Sequence, residues 1–249
     1  MGALAEIWRH PVKSLGWERL AAAALAPGAC LPGDRVWAVA HGASAFDPAA
    51  PGWVACKNFI RVTHAPKLAQ VAAALSPEGR LRLTHPDAAL LDIDPETAEG
   101  AEALVAWAAL LAEGARPGPY ALARASQAMT DADAPFIAVL SLSSLRALSQ
   151  RAGCAPDPRR FRGNLWLDGV APWEESEWPG RTLRIGAARL RVVEPIWRCR
   201  ATEANPETGL YDAPMLDALR AATGDTAFGV YAEVVAGGDV AEGDAAALE

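Results

Sequence analysis

Glycine and proline punctuate this chain too often for long helices. Its 249 residues include 21 glycines and 19 prolines. Glycine supplies backbone angles that other residues avoid, and proline removes a backbone donor. The apolar runs between them are short and rich in β-formers, which argues against a simple helical bundle and for many strands joined by turns. Strands are expected at Ala5–Val12, Trp17–Leu25, Val36–Ala40, Leu68–Leu75, Arg80–Thr84 and Leu90–Ile93 in the first half. The second half offers Tyr120–Arg124, Ile137–Leu140, Leu165–Leu167, Thr182–Ile185, Arg189–Val193 and a closing strand at Val230–Val235. Gly237-Gly238-Asp239 reads as a hairpin turn. Three helices interrupt the pattern. One opens at Pro95 and runs to about Glu113, the second is capped by Ser141 or Ser143 and stopped by Gly153, and the third spans Pro214–Ala222 before Gly224. This is not the regular strand–helix alternation of a parallel doubly wound sheet. Gly114 and Pro117-Gly118-Pro119 form the best linker, dividing the chain into domains at 1–118 and 119–249.

Charge and cysteine usage narrow the function classes. The net charge of −7 disfavours a protein that grips nucleic-acid backbone over a basic face, while leaving room for a locally basic pocket. The longest apolar stretch, Ala103–Ala112, is too short to span a bilayer. The first residues lack the apolar core of a signal peptide. A cytoplasmic protein is expected, with no nucleic-acid or membrane partner and with Cys30, Cys56, Cys154 and Cys199 reduced. None of the four forms a CxxC pair, and the four histidines show no zinc-helix spacing.

Three clusters carry chemistry. Lys13-Ser14 and Arg35 offer a cation, a hydroxyl and a bidentate fork for phosphate or carboxylate, or else simply decorate the surface. Arg159-Arg160-Phe161-Arg162-Gly163-Asn164 concentrates arginine within an acidic chain. On an extended segment, Arg160, Arg162 and Asn164 would share one face, with the amide suited to a heterocycle edge. The alternative is an exposed basic loop paired with Glu174, Glu175 and Glu177. In Trp197-Arg198-Cys199-Arg200 a thiol lies between guanidiniums, so a lowered pKa and a nucleophilic or metal-binding thiolate are expected; a buried inert cysteine is the alternative. Cys30 and Cys154 read as structural, Cys56 as structural or, beside Lys57, reactive, and Asp131, Asp133 and Asp168 as unpaired acid–base candidates.

Taken in order, these motifs resemble the MOSC family, named for the C-terminal part of molybdenum cofactor sulfurase, joined to its own N-terminal β-barrel. The resemblance rests on His10-Pro11-Val12-Lys13-Ser14, Gly33-Asp34-Arg35-Val36-Trp37, Thr130–Phe136, Arg160–Asn164, Arg198-Cys199, Asn205–Gly209 and Phe228-Gly229. It implies a mainly β fold, an N-terminal β-barrel-like domain followed by a β-barrel MOSC domain with a few inserted helices. It also implies the molybdenum cofactor, a pterin bearing a dithiolene and a phosphate. By resemblance Lys13, Ser14 and Arg35 match phosphate and pterin contacts, Arg162 and Asn164 match a pterin-binding stretch, and Arg198 is a further cofactor-binding residue. Cys199 matches the molybdenum-ligating cysteine of the amidoxime-reducing members, making it both the metal ligand and the catalytic residue. Pyridoxal phosphate binding is a further attribute met in the family. Gly163 stands where proline is usual, which implies a loosened turn, and Arg61–Pro66 lacks an arginine where the family has one. The implied activity is reduction of small N-hydroxylated substrates with electrons from a separate redox protein. The alternative is a cofactor carrier or sulfur-transfer protein with a persulfide on Cys199, and a third possibility is a pocket for another anionic ligand.

Overall fold

The structure, a computed structural model, describes residues 2–125 and 127–249. In chain order its strands begin with β1 (Gly2–Arg9), β2 (Glu18–Leu20), β3 (Ala22–Leu25), β4 (Trp37–Ala40) and β5 (Ala72–Leu75). There follow β6 (Leu81–His85), β7 (Ala88–Ile93), β8 (Ala121–Arg124), β9 (Ile137–Ser141) and β10 (Leu165–Asp168). The last are β11 (Thr182–Ile185), β12 (Ala188–Trp197), β13 (Ala227–Ala236), β14 (Gly238–Ala241) and β15 (Ala245–Leu248). The α-helices among the described residues are α1 (Ala98–Leu111), α2 (Leu142–Ala152) and α3 (Met215–Thr223), the expected three.

Seven strands close into a barrel in the order β1, β10, β9, β13, β12, β11, β15 and back to β1. Closure removes sheet edges that would otherwise need covering. Every pairing is antiparallel except β9 with β10, and that parallel step is crossed by α2, as a parallel connection requires. The first strand of the chain is thus built into a barrel otherwise made by its second half. Strand β2 pairs with β1 outside the closed ring, and the other strands form β3–β14 and β4–β8 ribbons and a β5–β6–β7 sheet. Alternation explains the barrel interior: along β12, Ala188, Leu190 and Val192 are buried while Arg189 and Arg191 face out. They meet Leu4, Ile7, Ile137, Val139, Leu165 and Val230 in one apolar cluster. A second cluster packs Leu104, Trp107 and Ala108 of α1 against Trp37, Val39, Leu81 and Leu83. A third lies under α2 and α3 around Leu145, Leu148, Phe161, Trp166, Leu219 and Phe228. No helix among the described residues is long and apolar enough to cross a membrane.

Several local expectations are corrected. Helix α1 begins after Thr97, whose hydroxyl accepts from the Gly100 N–H at 3.0 Å; Pro95 lies in the turn before that cap. Pro66–Gln70 is a 3-10 helix, so the strand expected from Leu68 begins only at β5. The strand expected to close the fold is β13, which lies between β9 and β12 in the barrel wall, and β14 and β15 follow it. Gly238, expected in a turn, opens β14 opposite Leu25. Ser141 caps α2 by accepting from the Ser144 N–H, and Gly153 ends it with φ 70°, both as expected.

Gly163 does more than loosen a turn. A Cβ there would fall 2.2 Å from Leu140 Cδ1, so the chain passes directly over a fully buried leucine. Gly229 flanks the same side chain, with φ 76° and an added Cβ 2.6 Å from Leu140 Cγ and 2.9 Å from the Val139 carbonyl oxygen. Gly28 shares the positive φ, at 65°, but has open space around it. Gly28→Ala is therefore expected to cost about 1 kcal/mol of backbone strain, and Gly229→Ala about 2–3 kcal/mol more because of the clash. Urea denaturation of the two variants checks this; equal losses would contradict the packing described.

Candidate functional site

Backbone strain marks the site. Only four non-glycine residues among those described have positive φ: Ser14 at 64°, Arg35 at 50°, Arg162 at 50° and Trp173 at 70°. Each such conformation costs of order 1–3 kcal/mol and persists only where the surroundings impose it. Three of the four line one cleft. Asp34, 2% exposed, holds them together. It accepts from the His10 N–H at 2.7 Å and pairs with the Arg35 guanidinium. Arg35 in turn donates to the Arg162 carbonyl at 2.7 Å, and Arg162 donates to the carbonyls of Val12 and Gly16, both at 3.2 Å. The loop after β1, the turn before β4 and the approach to β10 are thereby locked into one frame. His10 is sealed inside it. Burial, with Arg162 and Arg35 nearby, keeps its pKa well below the ordinary value, so the ring stays neutral and donates from Nε2 to the Gly163 carbonyl at 3.2 Å.

Lys13, Ser14, Arg35, Arg162, Asn164, Arg198 and Cys199, the residues singled out in the sequence, all line this cleft, which opens to solvent at its mouth. Lys13 is not a solvated surface charge: it is 5% exposed, donating to Asp131 at 2.6 Å and to the Met129 carbonyl at 2.8 Å. Burial alone would raise the Asp131 carboxyl, but Lys13, with Arg35 and Arg198, outweighs it and holds the pKa below its usual value.

The arginine-rich segment differs from its expected form. Pro158–Phe161 is a 3-10 helix followed by left-handed Arg162, so side chains do not alternate across an extended strand. Arg160 pairs with Asp212 at 2.8 Å. The alternative pairing fails too: Arg159 meets Asp157 at 2.7 Å and also Glu207, while Glu175 is buried and accepts from Ser144. Asn164 lines the cleft but uses its amide on backbone, accepting from the Ala138 N–H at 3.1 Å and donating to the Trp8 carbonyl at 3.2 Å. It ties β1 to β9 at the cleft wall.

Charge is left uncompensated here. Arg61, Arg162 and Arg198 line the cleft, and none has a carboxylate within ion-pair distance among the described residues. Burial pushes the Arg162 guanidinium down to about 9, with Arg35 adding to the effect, and Arg198 down to about 10. A guanidinium this far below its ordinary range is a cation short of a counter-ion, and an anion in the cleft would restore it. Arg198 is oriented by the Phe228 and Phe161 carbonyls at 2.6 and 2.9 Å. Burial, with the Asp131 charge, pushes the Tyr231 hydroxyl at the same cleft up to about 12. Sequence reasoning passed over Cys56, Arg61, Thr63 and Tyr231 as lining residues. The one available signal was that Arg61–Pro66 occupies the stretch where the family pattern departs.

Cys199 caps the 3-10 turn Arg200–Glu203 and reaches solvent at the cleft mouth. Its expected low pKa is overturned. Desolvation by the surrounding walls pushes the thiol up, and the nearby charges of Asp131 and Cys56 add to this, outweighing the Ala201 N–H and Arg198. Arg200 contributes little because it turns away to stack over Tyr211, 3.9 Å from the ring centre. A proton therefore sits on Cys199 at neutral pH until an electrophile or metal displaces it. Iodoacetamide alkylation of Cys199, followed by peptide mass spectrometry, should be slow at pH 7 and should still be rising with pH where an ordinary thiol has reached its plateau. A plateau already reached by pH 7 would contradict this.

Comparison with known proteins agrees with the geometry. A family model described as the MOSC N-terminal beta barrel domain matches residues 1–116, and one described as the MOSC domain matches residues 126–247. Molybdenum cofactor sulfurase 2 of Culex quinquefasciatus and molybdenum cofactor sulfurase of Anopheles gambiae are each 40% identical over 73 residues, 29% of this chain and 9% of each relative. The chain thus spans only a small part of those relatives' length. The crystal structure of the YUAD protein from Bacillus subtilis superposes over 99% of this chain and 94% of that one, with TM-score 0.50 and 14% identity, a likeness of fold alone. With the two family models lying end to end along the sequence, the chain belongs to the MOSC family, an MOSC N-terminal β-barrel domain followed by an MOSC domain.

Proposed function

We propose that this protein is a molybdenum-cofactor-dependent oxidoreductase that reduces small N-hydroxylated substrates. The observation that carries the reading is one cleft holding both uncompensated guanidiniums and a solvent-reaching thiol. Its residues fit the cofactor. Arg162 and Arg198, short of counter-ions, suit an anionic phosphate, and Lys13, Ser14 and Arg35 add donors in the same frame. Thiolate is a strong metal ligand, and metal binding would displace the proton that desolvation by the cleft walls keeps on Cys199. When bound, the cofactor supplies the two-electron redox chemistry that protein side chains lack. The reaction balances as N–OH plus two electrons and two protons giving N–H and water, with the electrons drawn from a separate redox protein.

The chain's own residues position and exclude. Tyr231 stays protonated across the physiological range and can donate a hydrogen bond to a substrate oxygen. Phe136, 5.7 Å from the Tyr231 ring, and Phe161 give the cleft apolar walls that keep water from the reacting atoms. Lys13 spends two of its three Nζ donors on Asp131 and the Met129 carbonyl, which leaves one for an anion in the cleft.

A second reading, cofactor carriage or sulfur transfer, is favoured by the presence of Cys56 beside Cys199 in the same cleft. The raised Cys199 pKa weighs against it, since unaided sulfur transfer needs a ready thiolate. Protein made in a cofactor-competent host should carry molybdenum and pterin near stoichiometry. When cofactor is limiting, Lys13→Met and Arg198→Met should each lower pterin occupancy about 10–100-fold, the loss of one charge-assisted contact. Cys199→Ser should keep the pterin and lose N-oxygen reduction. Wild-type occupancy in both cation variants would overturn the assignment, and cyanide-labile sulfur on Cys199 without activity would favour sulfur transfer.

A further inference from the structure

Arg61 stands apart from the cations assigned above. It sits on the segment that follows the 3-10 turn Cys56–Asn58, and its partners are weak. One Nη donates to Cys56 Sγ at 3.4 Å, and the other meets His64 Nε2 at 3.1 Å. Arg116 converges on the same His64 nitrogen at 3.2 Å. Two guanidiniums thus share one neutral imidazole acceptor, and neither has a carboxylate partner among the described residues. Arg61 Nε and Thr63 Oγ1 are shielded from solvent and find no protein partner, although both residues line the cleft. A guanidinium bonded to a thiol and a shared imidazole, beside an unpaired hydroxyl, is an oxyanion receptor filled by poor substitutes. A carboxylate or phosphate oxygen accepts from a guanidinium far more strongly than sulfur does, and suits its planar fork.

This group lines the same cleft as the cofactor cations but is tied to other partners: Arg61 meets Cys56 and His64, Arg162 the Val12 and Gly16 carbonyls, and Arg198 those of Phe228 and Phe161. It also borders Cys199, since Cys56, which Arg61 contacts, lines the same cleft.

We infer that Arg61 and Thr63, backed by His64 and Arg116, form a second oxyanion subsite that holds the acid group of a substrate whose other end faces Cys199. This names the substrate class of the proposed reductase and rests on that reading: a small N-hydroxylated molecule that also carries a carboxylate or phosphate. Neutral substrates of equal size would leave Arg61 on its weak partners and bind less tightly.

His64 is a built-in reporter. Burial first, then Arg61 and Arg116, hold its pKa below the ordinary value. An oxyanion between the guanidiniums offsets their charge and lets it rise. The test uses nitrogen NMR of histidine-labelled full-length protein without cofactor, titrated separately with succinate and with inorganic phosphate. The His64 ring signals should move saturably and the His64 pKa should rise. Arg61→Gln should weaken the response about tenfold or more, and Arg116→Gln by a smaller factor, in line with loss of a charge-assisted contact. A response to succinate alone marks a carboxylate subsite, and one to phosphate alone a phosphate subsite. In parallel, Arg61→Gln made with cofactor should keep wild-type pterin occupancy. The inference is overturned if His64 responds to neither anion, or if Arg61→Gln responds like wild type. It is also overturned if Arg61→Gln loses pterin, which would make Arg61 a cofactor contact. Because the NMR arm needs no cofactor, failure of the reductase reading would appear separately, as absent pterin in the wild type.

Discussion

One buried carboxylate, Asp34, gives the cleft its shape. It accepts from the His10 backbone and neutralises Arg35, and Arg35 then holds the Arg162 carbonyl. Three segments far apart in sequence are fixed by that chain of contacts, and three side chains are kept in a left-handed conformation that none would choose alone. Removing one partner of a buried ion pair costs about 3–5 kcal/mol, because the other charge is left uncompensated. The strain at Ser14, Arg35 and Arg162 is thus sustained by electrostatics, and the barrel supplies the rigid frame against which that network pulls.

The same frame leaves other charges unbalanced. Where Asp34 answers Arg35 and Asp131 answers Lys13, nothing among the described residues answers Arg162 or Arg198. Half-buried cations that meet only backbone carbonyls are the chemical basis for reading this cleft as a site for an anion brought from outside. Cys199 shows the same logic in its proton. The walls hold it on the sulfur, so the thiol is idle until a ligand of the right chemistry arrives.

Much of this was legible in the sequence, for identifiable reasons. Glycine and proline spacing fixed the many short strands, and Ser141, Gly153 and Gly224 acted where their chemistry placed them. The seven residues singled out converge on one cleft, because motif order carried what local pattern did not. The misreadings came from tertiary context. Arg162 was assigned to an extended strand because nothing local announces a left-handed arginine imposed by Asp34 and Arg35. The Cys199 pKa was misjudged because Arg200 stacks on Tyr211 and the cleft walls desolvate the sulfur, neither visible in a tetrapeptide. Gly163 was read as loosening a turn, when the fold lays it against Leu140. Cys56 and Arg61 reach the cleft only through a loop whose course no local signal predicts.

The proposed role of Cys199 is to deliver one thiolate to a metal carried by an anchored cofactor. X-ray absorption at the molybdenum edge, on loaded wild type and on loaded Cys199→Ser of equal pterin content, tests it most directly. The account predicts that the variant loses one sulfur scatterer from the metal's coordination shell. Identical spectra would contradict it.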